Sequence, residues 1–530
     1  MSEVSFSFDD KIYKGHPGEP LSAALLRNGV LSITKSTYHG RPRGVIGLGV
    51  EEPNALVQLV SGTNESMLPA TVIEVAEGLA ARSITGVGTL PEVPDEARYD
   101  KTNCYVDTLV IGAGLAGLMA ADGYLRAGHE VLLIDDQSGP GGHLRHLGQE
   151  LLAPLRDVLV HANLTYVCRC TAVGLYDQNY VVAIERRSDH LGNSAPANRA
   201  RIRVWHIRAD QIVLAPGAFQ RPLIFANNDL PGIMLSHAAA TYVAVHGLQI
   251  FRNAIVATVD NQGYRDALRL HHAGVRVQGI YDARPVAGGP SVDAAKAAGI
   301  PVRFRATVLE ASSNTEGVLN IVTLQDLETN ESFQIAADLL AVSGGWTPIV
   351  DLATHISIKP QWSEKHAAFL VIHSTDQFCT AGMLAGDFGG DDNPSVFFGP
   401  TLDSEQARHA YIDLQRDTTL HDLRRAVGAG LSSIEHIKRY TTIGTAHDQG
   451  KTSGMLTIGA LCQLNNIAPD PKSSLSPVEV GTLSFRPPYV PVTFAALAGR
   501  ERGPLSDPIR ITALHQWHVE AGAVFEDVGQ

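Results

Sequence analysis

No cysteine precedes Cys104, and the whole chain of 530 residues holds only five, at positions 104, 168, 170, 379 and 462. An odd, scattered set in a long chain is no disulfide framework. The one close pair, Cys168-Arg169-Cys170, lacks a second pair that would complete a metal or redox site, so two buried strand thiols are expected there. Apolar runs are short, none approaching the ~18 residues of a membrane span. Basic charge is in deficit, with 42 Lys and Arg against 55 Asp and Glu and a net charge of −13, which argues against nucleic acid or an anionic membrane as partner. The first residues, Met1-Ser2-Glu3-Val4-Ser5, have neither a basic start nor an apolar stretch for export, and a cytoplasmic protein is expected. H-E-x-x-H and H-x-x-E-H are absent, so no metal set is expected. C-x-x-C is absent too, which leaves disulfide reductase chemistry without a nucleophile. Gly450-Lys451-Thr452 is no phosphate loop, because Thr445 stands where the first Walker glycine belongs.

What is present is a βαβ pattern with every part in register. The run Val106-Asp107-Thr108-Leu109-Val110-Ile111 enters Gly112-Ala113-Gly114-Leu115-Ala116-Gly117, a helical pattern covers Leu118 to Arg126, and Val131-Leu132-Leu133-Ile134 ends in Asp135. In a G-x-G-x-x-G turn Gly112 permits the tight bend, Gly114 lets backbone approach a pyrophosphate at the helix N-terminus, and Gly117 lets helix and strand pack closely. Asp135 lies 23 positions after Gly112, where a carboxylate accepts the ribose hydroxyls. An acid there favours a free 2′-hydroxyl, hence NAD or FAD over NADP.

The remaining chain divides around this unit. Residues 1–100 read as a domain of their own: Val4–Phe8 and Lys11–Tyr13 alternate as a hairpin, Leu21 to Asn28 forms a short helix closed by Gly29, and hairpin, helix, then strands is the order of a β-grasp. Residues 84–105, with Pro91 and Pro94, suit a linker. After Asp135-Asp136-Gln137 comes a second glycine pair, Pro140-Gly141-Gly142-His143, and strand-like runs follow at 164–170, 181–185, 202–207 and 211–214, the last ending in Ala215-Pro216-Gly217. From Asn253 a second βαβ pattern begins, with strand 254–258, helix 264–272 and strand 275–281 ending in Asp282. Its turn, Val259-Asp260-Asn261-Gln262-Gly263, lacks the glycines, and Asp260 would repel a pyrophosphate, so no second adenine dinucleotide is expected. Strand, Gly344-Gly345, then Thr347-Pro348 marks the return to the first unit, and helical patterns follow at 404–416, 423–425 and 433–438. The expected domains are 1–100, 101–225 continued by 336–398, an inserted 226–335, a helical 399–475, and 476–530 as an extended tail for partner contacts. The fold class is α/β, with tandem Rossmann-like domains of the glutathione-reductase-like, two-dinucleotide kind, an N-terminal ferredoxin-like β-grasp domain and a C-terminal helical region.

The segments Gly15–Leu21, Arg41–Gly44, Arg221–Leu235, Lys438–Thr452 and Phe485–Tyr489 resemble the alpha subunit of heterotetrameric sarcosine oxidase and related N-methylamine dehydrogenases, over residues 5 to 530. That resemblance implies a subunit that holds NAD, or FAD, without turning it over, while an N-methyl amine such as sarcosine is oxidised at FAD in a beta-like subunit and an FMN at the interface passes electrons on. It also implies small accessory subunits and a folate-binding half, which does not follow here; a separate folate-binding chain, a sequence cut short and an activity without folate are the open alternatives. Carried over by position, Ala116, Asp135, Asp136, Gln137 and His143 contact the dinucleotide together with Gly112, Gly114, Gly117 and Gly142, and Val173 and the Ala385-Gly386-Asp387 turn are added to them. Lys438–Gly444 and Phe485–Tyr489 would face partners and the FMN edge. Plant-type ferredoxins carry thiolates in the loop that here reads Gly47-Leu48-Gly49-Val50-Glu51-Glu52-Pro53, and with none present no iron–sulfur cluster is expected. No catalytic residue is named, and the alternative is a free-standing FAD- or NAD(P)-dependent oxidoreductase of the same fold.

Overall fold

The computed structural model describes residues 3–92, 95–146, 155–389, 394, 399–466, 475–500 and 509–526. In the N-terminal domain the strands Val4–Phe8 and Lys11–Gly15 pair as the expected hairpin, and Ala80–Ser83 adds in parallel beside Val4–Phe8 in a five-stranded sheet. The helix Leu21–Arg27 crosses this sheet with Leu21, Leu25 and Leu26 at 2 % exposure or less, each side chain contributing about 1.5–3 kcal/mol of burial.

The first Rossmann-like sheet places Leu164–Val167, Val131–Ile134, Tyr99–Ile111 and Ile202–Leu214 side by side in parallel, flanked by the antiparallel pair Tyr180–Arg186 and Cys170–Tyr176 and by Phe378–Thr380. Here the expected linker is shorter than the sequence suggested. Tyr99 to Cys104 belongs to one long strand running to Ile111, because its polar residues ladder onto Ile202–Leu214 and Arg203 pairs with Asp100 at 2.8 and 2.9 Å. The expected strand at 164–170 is likewise divided. Arg169 turns the chain at φ 54°, leaving Cys170 buried in a strand and Cys168 half-buried at the bend, so the two thiols are not the strand pair anticipated.

The second Rossmann-like sheet is wholly parallel, in the order Ile233–Leu235, Leu339–Ser343, Asn253–Thr258, Arg276–Asp282, Val302–Phe304. A three-stranded antiparallel sheet from Ala306 to Ala336 covers it, and the chain leaves and re-enters the first unit through paired strands Ala218–Gln220 and Trp346–Pro348. In the C-terminal region the helices Leu420–Gly428, Ile434–Thr441 and Gly454–Asn466 share a core of Leu423, Ala426, Ile437 and Leu461. The helix expected over 404–416 stops at Arg408. A capping box of Asp403 and Gln406 starts it, but Tyr411–Asp413 is a strand paired with Thr418–Thr419, and the buried Asn228 amide bonds both the N–H and the C=O of Tyr411 at 2.9 and 2.8 Å.

The tail is not uniformly extended. Tyr489 donates its N–H to the Val173 carbonyl at 2.7 Å, and helix Phe494–Ala498 buries Ala496 against Tyr99, Val204 and Ile202, whereas 509–526 is exposed apart from half-buried His515; 501–508 and 527–530 lie outside the described residues. The domains are tied by Arg43, 1 % exposed, which bridges Asp229 of the inserted segment and Asp417 of the C-terminal region under the Tyr411 ring. Such a buried cation is tolerable only because both carboxylates and the ring compensate its lost hydration.

Candidate functional site

A cavity of about 570 Å³ lies where the first Rossmann-like unit, the N-terminal domain, the inserted unit and the C-terminal region meet, a size in the range of cofactor sites. Its floor is the glycine turn. Gly112 sits at φ 102° and a Cβ there would stand 2.2 Å from the Ala215 carbonyl oxygen, so only glycine fits; at Gly114 the same construction meets nothing within 4 Å, leaving open space before the helix Leu115–Arg126. Backbone N–H groups at such a helix start attract an anion.

One end of the cavity is acidic. Asp135, 8 % exposed, accepts the N–H of Ala113 at 2.6 Å and of Gln137 at 2.9 Å, and Asp136 accepts the Gln137 side-chain amide at 2.9 Å. Burial, together with the charges of Asp135 and Glu51, pushes Asp136 up to about 8. The wall here belongs to the N-terminal domain, whose Gly47–Glu51 loop touches Gln137 and whose Glu74 holds Arg169 at 2.5 and 2.7 Å. Glu51 in turn accepts the Tyr489 hydroxyl at 2.7 Å, and beneath it Lys451 lies 4.4 Å from the Tyr489 ring centroid.

The opposite end is aromatic. His143 meets the rings of His237 and Trp346 at centroid distances of 4.7 and 4.8 Å, and burial together with His237 drops His143 to about 3, so it stays neutral at physiological pH. Behind His237, at 3.8 Å from its Nδ1, stands Asp266; although burial opposes it, the bonding to His237 and the neighbouring Arg269 hold that carboxylate below its usual range. Gln220 ties this end to the inserted unit by donating to Ser236 and Ser343.

Of the residues expected at the site, Gly112, Gly114, Ala116, Asp135, Asp136, Gln137, Gly142, His143 and Asp387 line the cavity. Gly117, Val173, Ala385 and Gly386 do not. Gly117 acts beneath the floor, where a Cβ would meet the Gly112 carbonyl at 1.8 Å; Val173 is 4 % exposed and uses its carbonyl on Tyr489; Gly386 caps the short helical turn Gly382–Ala385 at φ 96°. Lys438 and Arg486 are outside the cavity, on the surface. Residues that sequence reading missed, Glu51, His237 and Trp346, come from separate segments and carry no local pattern, while Tyr489, from the stretch expected to face partners and the FMN edge, lines this cavity. The second unit's turn is filled by its own carboxylate: Asp260 accepts the Ser343 hydroxyl at 2.7 Å and the Gly263 N–H at 3.3 Å.

Fold and site together define an α/β protein of tandem Rossmann-like units around one cavity, and the fold is shared with L-proline dehydrogenase from P. horikoshii at a TM-score of 0.70 and 19% identity, covering 94% of this chain and 98% of that one. Residues 110–149 match the NAD(P)-binding Rossmann-like domain and 407–500 the sarcosine oxidase A3 domain. The chain is 39% identical, over 98% of its length, to the sarcosine oxidase subunit alpha of Corynebacterium sp. (strain P-1), and 36% identical over 99% to that of strain U-96. The chain is thus similar to sarcosine oxidase alpha subunits along nearly its whole length, and it spans 59% of the length of these two relatives.

Residues 1–86 match the 2Fe-2S iron-sulfur cluster binding domain, and this corrects the expectation of no iron–sulfur cluster, which had been drawn from the lack of any cysteine before Cys104. The donor set in that stretch contains no thiolate, and its loop is organised by the buried Glu52 carboxylate, which accepts the N–H groups of Ile46, Gly47, Asn54 and Ala55. These residues do not fit an all-cysteine cluster site. No helix among the described residues is long and apolar enough to cross a membrane.

Proposed function

We propose that this chain is the dinucleotide-holding alpha subunit of a multi-subunit flavin enzyme that oxidatively demethylates sarcosine or a similar N-methyl amino acid, the amine being oxidised in a beta-like partner subunit. The observation that carries this reading is a glycine-floored, acid-ended cavity in a chain 39% identical to a sarcosine oxidase alpha subunit. A dinucleotide held there would bring an adenosine, a pyrophosphate and a redox-active ring. The residues fit it: the Gly114 turn and the helix start offer N–H groups to the pyrophosphate, Asp135, Asp136 and Gln137 face the ribose, and His143, His237 and Trp346 enclose the far ring. His143 has no proton to give at neutral pH, so at that end it serves as a packing surface and not as an acid.

Purified alone, the chain retains a dinucleotide and leaves sarcosine unoxidised; with its beta-like partner, sarcosine is turned over. Steady sarcosine oxidation by the single chain would overturn the proposal. That result would favour the alternative, a free-standing FAD- or NAD(P)-dependent oxidoreductase, for which the His237–Asp266 pair behind the aromatic end is the one structural argument.

A further inference from the structure

We infer that Glu51, carried by the N-terminal domain and oriented by the Tyr489 hydroxyl, is a recognition residue of the dinucleotide site that accepts a ribose hydroxyl and disfavours a 2′-phosphate. This rests on the dinucleotide reading above.

The geometry begins with the short turn Gly49–Glu51. Gly49 adopts φ 68°, and a Cβ there would lie 3.3 Å from the Gln137 side-chain nitrogen and 3.9 Å from an Asp136 carboxylate oxygen, so this turn packs directly on the acid loop of the first Rossmann-like unit. Both Glu51 and Asp136 line the cavity. Glu51 reaches it with one oxygen already engaged, since Oε1 accepts the Tyr489 hydroxyl at 2.7 Å. Tyr489 is itself fixed, 5 % exposed, with its N–H on Val173, its carbonyl taking the Lys451 ammonium at 2.6 Å, and its ring over that ammonium. The Glu51 carboxylate is thus aimed by a fixed residue 438 positions away in the chain, a positioning that packing alone does not need.

The electrostatics agree. Asp135, Asp136 and Glu51 crowd one end of the cavity, facing Arg186, Arg145, Lys451 and Asp351; burial pushes Glu51 and Asp135 up, and burial with its two acidic neighbours pushes Asp136 up to about 8. Each carboxylate keeps acceptor capacity beyond the bonds it already takes, and a ribose diol supplies two donors. A phosphate ester on the 2′ oxygen removes one donor and brings charge into the end of the cavity already crowded with acidic groups, so rejection follows from the same group.

Titration calorimetry on the full chain, freed of endogenous dinucleotide, with NAD+ and NADP+ tests this. The wild type binds NAD+ and discriminates strongly against NADP+. Glu51→Ala weakens NAD+ binding about tenfold, the scale of one charge-assisted hydrogen bond, and Glu51→Gln narrows the NADP+ to NAD+ ratio by a similar factor. Tyr489→Phe keeps the ring on Lys451 and so the fold, yet shifts the same ratio a few-fold, which a merely structural tyrosine would not do. Unchanged affinity and unchanged ratio in all three variants overturn the assignment of Glu51 while leaving the dinucleotide site standing. A wild-type chain that binds neither nucleotide overturns the dinucleotide reading and this inference with it.

Discussion

The two Rossmann-like units share a parallel βαβ plan and differ at one turn. In the first, Gly112-Ala113-Gly114 leaves open space in front of the helix Leu115–Arg126; in the second, Asp260-Asn261-Gln262-Gly263 folds its own carboxylate into that place, where Asp260 takes hydrogen bonds from Thr258, Gly263 and Ser343. The strand-end acids diverge in the same way. Asp135 borders a cavity, whereas Asp282 is consumed by Arg284 and the Tyr264 hydroxyl. On the proposed reading, the open turn is the one that takes a dinucleotide, and the carboxylate folded into the other turn occupies the place of the pyrophosphate.

The sharpest way to break this comparison is to fill the open turn. Gly114→Val places its Cβ where nothing lies within 4 Å, so the fold should survive while bound dinucleotide falls more than a hundredfold, read by extraction and chromatography alongside circular dichroism. Next in size, Asp135→Ala should weaken dinucleotide binding about tenfold, since it removes a charge-assisted acceptor and the tether on Ala113 and Gln137. In the closed unit, Asp260→Ala should leave the number of bound dinucleotides unchanged and destabilise the chain by about 1–3 kcal/mol, because Ser343 and Gly263 lose a buried acceptor. Denaturant unfolding beside ligand counting separates the two effects.

A further expected effect is one of pH. Asp136 has an ordinary value of 3.8 and is raised to about 8 in the folded protein, so between these values the folded state holds a proton that the unfolded state has lost. Stability of the ligand-free chain should therefore fall as pH rises from about 4 to about 8 and level off above. Asp136→Asn should flatten this part of the profile, measured as melting temperature against pH; an unchanged slope would show that Asp136 is not the group responsible.

The first unit was legible because its information is local. Gly112, Gly114, Gly117 and Asp135 lie within one short stretch, and each has a backbone or charge requirement that no other residue type meets as well. The closed turn at Asp260 was legible for the same reason. The walls were not, since Glu51, His237, Trp346 and Tyr489 are single residues brought together by four separate segments, and Tyr489 sits in a proline-flanked stretch that reads as a turn. The helix expected beyond Arg408 failed where Asn228, nearly two hundred positions upstream, claims the Tyr411 backbone. Val173 shows the limit of positional transfer, because its neighbour in space is Tyr489 and its side chain belongs to the core.

The most direct test is a count of adenine dinucleotides released by acid from the purified full chain, in the wild type, in Gly114→Val and in Asp260→Ala. One per chain in the wild type and in Asp260→Ala, with none in Gly114→Val, is the result expected of one open and one closed unit. Two per chain in the wild type, or full retention in Gly114→Val, would contradict it.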